Sequence, residues 1–183
     1  SQILGLDLNT LEYRAGKKTS FPTLELTKSV DKVVDRFPIL VEGKDKAGEF
    51  YRKNFGAMFA YVTKRIPEIA DELYKIDDAM KAGFGWEHGP FEIWDAIGLS
   101  KGIELIEALG KEPAAWIKEM QAAGSESFYT VKDGATYYYD IPTKKQVKVP
   151  GQDAFIILDN IRKSSEVFKN SGTISLFNLF SFI

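Results

Sequence analysis

The spacing of apolar positions changes along the chain, and these changes divide it into segments. Residues 1–25 show no sustained period and predict either an extended arm on the surface or a linker. Residues 26–124 carry apolar side chains at helical spacing, whereas residues 125–150 carry β-branched and aromatic side chains around a turn. The pattern predicts a mainly α fold, a helical bundle with short connections and an appended β-hairpin.

The last segment, residues 151–183, gives weaker signals. Residues 155–161 fit a helix or an extended strand equally well. The apolar residues between Ile174 and Ile183 predict a strand whose partners lie in sequence outside this chain.

Capping signals predict where the first helices of the bundle begin and end. A short helix is expected over residues 26–37, with Pro38 as its stop. Asp45 is a favourable N-cap for a long amphipathic helix, which should end at Ile66 because a proline follows. Another helix carrying Leu73 is expected after that proline.

The same signals continue through the second half of the bundle. Asp77 is expected to cap a short helix that ends at Gly83, while Asp78 faces solvent. Further helices are expected over 91–97 after Pro90, from Ser100 to Leu109, and from Pro113 to Ala123.

An Asp-Gly pair marks the predicted hairpin. Asp133-Gly134 stands between residues 128–132 and 135–139, both rich in aromatic and β-branched side chains, which is a type I′ turn signal. Val147 and Val149, on either side of a lysine, predict a third strand. An isolated hairpin is marginal in water, so this one should pack on the helices or on another domain.

Composition narrows the class of protein. With 183 residues, 44% of them apolar, the chain can form one domain with a packed core. Its 24 basic and 26 acidic side chains give no electrostatic reason to expect a nucleic acid. The absence of cysteine excludes disulfides, thiolate nucleophiles and cysteine-bound zinc, and a cytoplasmic location fits. Neither a signal peptide nor a membrane-spanning segment is recognisable.

A glycine-rich turn invites a nucleotide-binding interpretation, which its spacing rejects. Gly83, Gly85 and Gly89 place the third glycine one residue too late for the dinucleotide fingerprint, and a predicted helix precedes them. A phosphate-binding P-loop is also excluded, because no Gly-Lys-Ser/Thr follows. A tight corner between two helices is the better account.

The candidate chemistry at this corner is limited. His88 is the one histidine of the chain, and a structural role is favoured over a catalytic or metal-binding one. The aromatic residues Trp86, Phe91 and Trp94 are most simply core, but a pocket wall or a subunit contact is the alternative.

The residues at this corner resemble a known family signature. They contain, in order, Ile76-Asp77-Asp78-Ala79, Gly83-Phe84-Gly85, Gly89-Pro90-Phe91 and Asp95-Ala96-Ile97-Gly98. This order is similar to the 3-hydroxyacyl-CoA dehydrogenase C-terminal domain, and the resemblance covers residues 45–110 well. It implies a helical domain of the 6-phosphogluconate dehydrogenase C-terminal-like type. Such a domain follows an NAD-binding Rossmann domain, shapes an acyl-CoA pocket and often mediates dimerisation.

Two motifs of the family have no match in this sequence, and their absence indicates which domain copy the chain resembles. The family's catalytic His–Glu pair and dinucleotide fingerprint belong to the Rossmann domain, and neither has a counterpart here. Arg52-Lys53-Asn54-Phe55 does not match the Gly-Phe-x-x-Asn-Arg-like motif of the first helical copy, so the chain resembles the second copy of multidomain members. The stretch from Pro150 to Asn170 resembles the lead-in to an enoyl-CoA hydratase domain.

The resemblance therefore implies a non-catalytic central domain of a fused β-oxidation enzyme that oxidises 3-hydroxyacyl-CoA with NAD. The expected segments are an arm at 1–25, the helical domain at 26–124, the hairpin at 125–150 and a lead-in to a missing hydratase-like domain at 151–183. No catalytic, metal or cofactor-binding residue is expected in this chain. The candidate substrate or interface residues are Phe84, Trp86, His88, Pro90, Phe91 and Trp94.

Expected partners are the Rossmann and hydratase-like domains, a second copy in a homodimer, and the acyl-CoA substrate, but no nucleic acid or membrane. Two alternatives stay open. The first is a stand-alone dimerisation or scaffold module. The second is an acyl-CoA-binding module, in which Lys81, Lys101 and Lys111 would bind the CoA phosphates.

Overall fold

The computed structural model of the chain describes residues 3–16, 19–151, 160, 167–171 and 174–177. The helices are α1 (Pro22–Thr27), α2 (Arg36–Glu42), α3 (Lys46–Lys64), α4 (Leu73–Phe84), α5 (Pro90–Ile97), α6 (Leu99–Glu107) and α7 (Ala115–Ala122). The strands are β1 (Leu4–Leu6), β2 (Tyr13–Ala15), β3 (Tyr129–Lys132), β4 (Ala135–Asp140), β5 (Lys145–Lys148), β6 (Val167–Ser171) and β7 (Ile174–Phe177). The predicted mainly α class with a β-hairpin is confirmed.

The bundle is organised around the crossing of α3 and α6. Gly56 makes this close approach possible, because a Cβ atom there would lie 2.5 Å from the carbonyl oxygen of Leu105. The core continues through Phe59 of α3, whose ring stacks on Trp94 of α5 with 4.5 Å between the ring centroids. Both side chains are fully buried.

The N-terminal region contains more regular structure than its sequence predicts. Strands β1 and β2 pair antiparallel within the expected arm, and α1 begins at Pro22 instead of residue 26. The expected helix over 26–37 is wrong as a single element, since α1 ends at Thr27 and a 3-10 turn at Val33–Asp35 leads into α2. Pro38 lies in the first turn of α2, where its missing N–H has no intrahelical partner to lose.

The long helix begins as predicted. The Asp45 carboxylate accepts the backbone N–H of Gly48 at 3.0 Å and so caps α3. It also accepts the backbone N–H and the hydroxyl of Thr23, at 2.9 and 2.8 Å, which fixes α1 against the start of α3. Arg52 of α3 donates to the carbonyl oxygens of Val41 and Gly43 at the end of α2.

Helix α4 is longer than its caps indicate. It runs through Asp77 without interruption, so the expectation that Asp77 caps a separate short helix is wrong. Gly83 lies inside the helix, and Gly85 supplies the left-handed residue at its end, with φ of 65°. Helix α6 likewise begins directly after Gly98 and not at a Ser100 cap.

The predicted hairpin forms with its predicted turn and a third strand. β3, β4 and β5 make an antiparallel meander, and Asp133 and Gly134 both have positive φ, as a type I′ turn requires. Phe128 and Tyr138 are buried in the same cluster as the helical side chains. The hairpin therefore packs on the helices.

Near the C-terminus, β6 and β7 pair with each other in antiparallel register. The expectation that a strand at 174–183 has its partners outside this chain is wrong for Ile174–Phe177, because β6 is its partner. The helix-or-strand alternative for 155–161 falls, apart from residue 160, outside the described residues. Among the helices in the described part of the chain, none has the length and apolarity needed to cross a membrane.

Candidate functional site

The corner between α4 and α5 brings two backbone segments into direct contact. A Cβ atom on Gly89 would lie 2.3 Å from the Cβ of Asp77, so only glycine fits there without movement. This approach places the Asp77 carboxylate at the first turn of α5. It accepts the backbone N–H groups of Phe91 at 2.9 Å and Glu92 at 3.1 Å. Asp77 thus caps α5 from the neighbouring helix.

The same carboxylate also holds the sheet. The phenol of Tyr129 on β3 donates to Asp77 at 2.9 Å. Asp77 is fully buried, and this burial raises its pKa to about 7, against the hydrogen bonds from Phe91 and Tyr129 that lower it. Burial also raises the pKa of Tyr129, so the phenol keeps the proton that it donates.

Asp95 is a second carboxylate with a structural role. Its two oxygens accept the backbone N–H groups of Phe128 at 2.7 Å and Tyr129 at 2.8 Å. Burial raises its pKa to about 7, while these two hydrogen bonds act in the opposite direction. Asp77 and Asp95 therefore join α4 and α5 to the start of β3.

Glu92 closes the turn on its exposed side. Its carboxylate accepts the backbone N–H of Gly89 at 2.8 Å, which gives α5 the reciprocal half of a capping box. The other oxygen pairs with Lys81 at 2.8 Å, and that lysine also reaches Asp78 at 3.2 Å. The charged groups around the corner are thus engaged in local pairs.

His88 lies between the core and the surface. Its ring packs edge-on against Phe37 with 6.0 Å between the centroids. Its Nε2 is 3.6 Å from Glu87 and its Nδ1 is 3.9 Å from Glu92. Within the described chain, Nε2 is buried and lacks a hydrogen-bond partner. These distances are too long for a base held by an orienting carboxylate.

The six residues predicted as a substrate or interface patch separate into two groups. Pro90, Phe91 and Trp94 are fully buried, so they cannot touch a ligand in this structure. Trp94 donates its indole N–H to the Leu99 carbonyl. By contrast, Phe84 is 74% exposed and Trp86 is 39% exposed, and His88 is half-buried beside them. The accessible part of the patch is therefore Phe84, Trp86 and the edge of His88.

Two of the three lysines suggested as ligands of the CoA phosphates already form ion pairs with carboxylates. Lys81 pairs with two carboxylates, and Lys101 lies 3.7 Å from Glu42 and 3.1 Å from Glu104. Lys111 is exposed, in the connection between α6 and α7. The arrangement gives no concentrated positive patch for a phosphate group.

Neither a dinucleotide site at the glycine turn nor a metal site is supported by the residues in the described part of the chain. The glycine turn follows helix α4 and no strand, so the geometry that holds a dinucleotide pyrophosphate is missing from it. No group of three or more histidine, aspartate or glutamate side chains there is arranged to hold a metal ion.

Sequence reasoning missed the structural roles of Asp77, Asp95 and Tyr129. The signal was present for the two aspartates, which are two of the three acidic residues in the segments that resemble the family signature. Tyr129 carried no such signal, because it stood among several aromatic residues of a predicted strand.

Comparison with known proteins places these features in a family. The family model for the 3-hydroxyacyl-CoA dehydrogenase C-terminal domain matches residues 44–138. This range contains the corner, the buried aspartates Asp77 and Asp95, the whole of β3 and the first four residues of β4. No solved structure matches the chain significantly.

Curated relatives agree with the family model. A Bacillus subtilis (strain 168) protein described as a probable 3-hydroxyacyl-CoA dehydrogenase is 39% identical over 93% of this chain and 21% of its own length. Proteins of Rickettsia prowazekii (strain Madrid E) and Rickettsia felis (strain ATCC VR-1525 / URRWXCal2) are described as fatty acid oxidation complex trifunctional enzymes. They are 34% identical over 32% of the chain and 26% identical over 70% of it.

The alignments cover 8% and 17% of the two Rickettsia proteins, so the chain spans about a fifth or less of the length of these relatives. The chain belongs to the 3-hydroxyacyl-CoA dehydrogenase C-terminal domain family.

Proposed function

We propose that this chain is a non-catalytic helical segment of a longer, cytoplasmic 3-hydroxyacyl-CoA dehydrogenase of fatty acid β-oxidation. The longer enzyme oxidises 3-hydroxyacyl-CoA to 3-ketoacyl-CoA with NAD, and a Rossmann domain elsewhere in it binds the cofactor. The observation that carries the proposal is the family match over residues 44–138, a range in which the buried carboxylates of Asp77 and Asp95 bind backbone N–H groups.

The buried carboxylates support a structural role. A general base needs an oxygen that can reach a substrate proton. Asp77 and Asp95 instead direct their oxygens to backbone N–H groups and a phenol inside the protein. Their raised pKa values follow from burial. A perturbed pKa at this site therefore reports packing.

The accessible corner supports a contact role. Phe84 and Trp86 present aromatic surface next to a rigid turn, and this surface suits a neighbouring domain, a second subunit or the acyl chain of the substrate. Residues 151–183 lead into the hydratase-like domain, and the chain corresponds to the second helical copy. The paired lysines described above argue against an independent CoA-binding module.

Dehydrogenase assays on the longer enzyme and on the chain of 183 residues test this proposal. Both proteins are incubated with 3-hydroxybutyryl-CoA and NAD, and NADH is followed by absorbance. We expect turnover by the longer enzyme and none by the chain, with circular dichroism confirming that the chain is helical. Turnover by the folded chain alone would overturn the non-catalytic assignment.

The genomic reading frame gives an independent check. Rossmann and hydratase-like segments on either side of this sequence would support the proposal. A frame that encodes this segment alone would contradict it.

A further inference from the structure

The N-terminal hairpin presents apolar side chains without cover from the described bundle. Every residue of β1 and β2 is exposed on both faces of the ribbon. The exposed apolar side chains of this hairpin are Ile3, Leu4, Leu6, Leu8, Leu11 and Tyr13. Leu8 is 82% exposed and Tyr13 is 72% exposed, so the hairpin displays several large apolar side chains to solvent.

The hairpin is shaped by its own contacts. Asp7 caps the turn, because its carboxylate accepts the backbone N–H of Asn9 at 2.9 Å. The backbone N–H of Asp7 donates to the carbonyl oxygen of Glu12 at 3.0 Å, and Arg14 forms an ion pair with the Asp7 carboxylate. These polar bonds define the turn, but a two-stranded hairpin with no covered face is marginal in water.

The size of the hairpin indicates what covers it. A stable interface between separate molecules takes about 20–30 residues from each side, whereas residues 3–16 offer fewer. A contact within one polypeptide needs less area, because the tether gives an effective concentration on the order of millimolar. The relative that matches 93% of this chain has about four-fifths of its length outside the match, since the alignment covers 21% of it.

We propose that the hairpin at residues 3–16 docks through its apolar side chains onto an apolar surface of another domain of the same longer polypeptide. This inference rests on the proposed function, which makes the chain part of such a polypeptide. Docking covers Leu8, Tyr13 and their neighbours, and it joins this helical domain to a second one through a strand ribbon.

Amide hydrogen exchange on the longer enzyme tests the docking. The double variant Leu8→Ser/Tyr13→Ser removes two apolar contacts and leaves the turn bonds of Asp7 intact. The double variant Leu26→Ser/Ile69→Ser changes two exposed apolar residues of the helical domain, 64% and 67% exposed, and is the matched control. We expect exchange of the β1 and β2 amides to rise at least tenfold in the first variant and to stay unchanged in the control.

Trypsin cleavage after Arg14 gives a second measurement, since this side chain is 72% exposed without a docked partner. Cleavage should be slow in the wild-type enzyme and faster in Leu8→Ser/Tyr13→Ser. Fast exchange and fast cleavage in the wild-type enzyme would overturn the docking. Protection that appears only with rising protein concentration, together with a dimer in sedimentation, would show a second copy as the occupant and also overturn it.

The dehydrogenase assay on the same preparations separates the two proposals. An active longer enzyme with an unprotected hairpin contradicts the docking alone. A protected hairpin in an enzyme that does not oxidise 3-hydroxyacyl-CoA contradicts the proposed function alone.

Discussion

The phenol of Tyr129 donates a 2.9 Å hydrogen bond to Asp77, a residue 52 positions earlier in the chain. The backbone N–H of the same tyrosine donates to Asp95 at 2.8 Å. One residue of β3 is therefore tied to α4 by its side chain and to α5 by its backbone. Because only the first tie needs the hydroxyl, the two can be separated by substitution.

Tyr129→Phe should lower the free energy of unfolding by about 1–2 kcal/mol, since it removes one hydrogen bond to a buried carboxyl group and keeps the ring. Asp77 retains the N–H groups of Phe91 and Glu92. Urea unfolding followed by tryptophan fluorescence measures the loss. Tyr137→Phe, on the neighbouring strand, is the control and should change stability by less than about 0.5 kcal/mol. Equal effects of the two substitutions would contradict a special role for the Tyr129 hydroxyl.

The close approach at Gly89 leads to a second prediction. In Gly89→Ala the new Cβ would lie 2.3 Å from the Cβ of Asp77, so the turn must move and the cap on α5 must weaken. We expect a loss of about 2 kcal/mol or more, measured by chemical denaturation.

Gly83→Ala is the matched control on the same corner. Gly83 lies inside α4, and a Cβ there meets nothing within 4 Å. This change should stabilise the protein by about 0.5–1 kcal/mol, because alanine favours a helix more than glycine does. A Gly89→Ala protein as stable as wild type would show that the Asp77 contact is not a steric limit.

Burial of Asp95 predicts an unusual dependence of stability on pH. Its pKa rises from an ordinary 3.8 to about 7, so the folded protein binds this proton more tightly than the unfolded chain does. The contribution of Asp95 protonation to the free energy of unfolding is complete below pH 4 and is lost as the pH rises towards 7. Each pKa unit corresponds to about 1.4 kcal/mol, which sets an upper limit of about 4 kcal/mol for the whole change.

Asp95→Asn removes this titration, so this position no longer makes the unfolding free energy depend on pH. The wild-type unfolding free energy should therefore fall towards the Asp95→Asn value as the pH rises from 5 to 8. Urea titrations at several pH values measure this difference. Asp71→Asn changes an exposed aspartate and should keep the wild-type profile. A constant difference between Asp95→Asn and wild type across this range would contradict the raised pKa.

The sequence was sufficient for features that depend on neighbouring residues. The Asp45 cap, the Pro90 start of α5 and the turn at Asp133-Gly134 each follow from local hydrogen bonding or backbone conformation, and each is confirmed. The predicted ends of α4 were wrong because the prediction considered only neighbouring residues. A buried aspartate at position 77 looks like a local cap, whereas the backbone groups that it bonds lie 14 and 15 positions away.

The candidate site was predicted less well, because burial depends on tertiary packing. Phe84, Phe91 and Trp94 look alike as aromatic residues near a turn, yet the first is exposed and the other two form core contacts. Trp94 is confined on one side by Gly102, where an added Cβ would lie 1.9 Å from the indole nitrogen. Helix α6 supplies that glycine, and no pattern around the corner reveals it.

His88 gives the last prediction, which separates a structural from a catalytic histidine. Its Nε2 is buried without a hydrogen bond in the described chain, and such a group costs about 1–3 kcal/mol. His88→Phe removes the nitrogen and keeps an aromatic ring against Phe37, so stability at pH 8 should be equal or higher. His88→Ala is the matched control, and it should be less stable because it also loses the ring contact. In the longer enzyme, His88→Phe should retain the wild-type kcat for 3-hydroxyacyl-CoA oxidation. A folded variant with a large fall in kcat would instead identify His88 as a participant in the reaction.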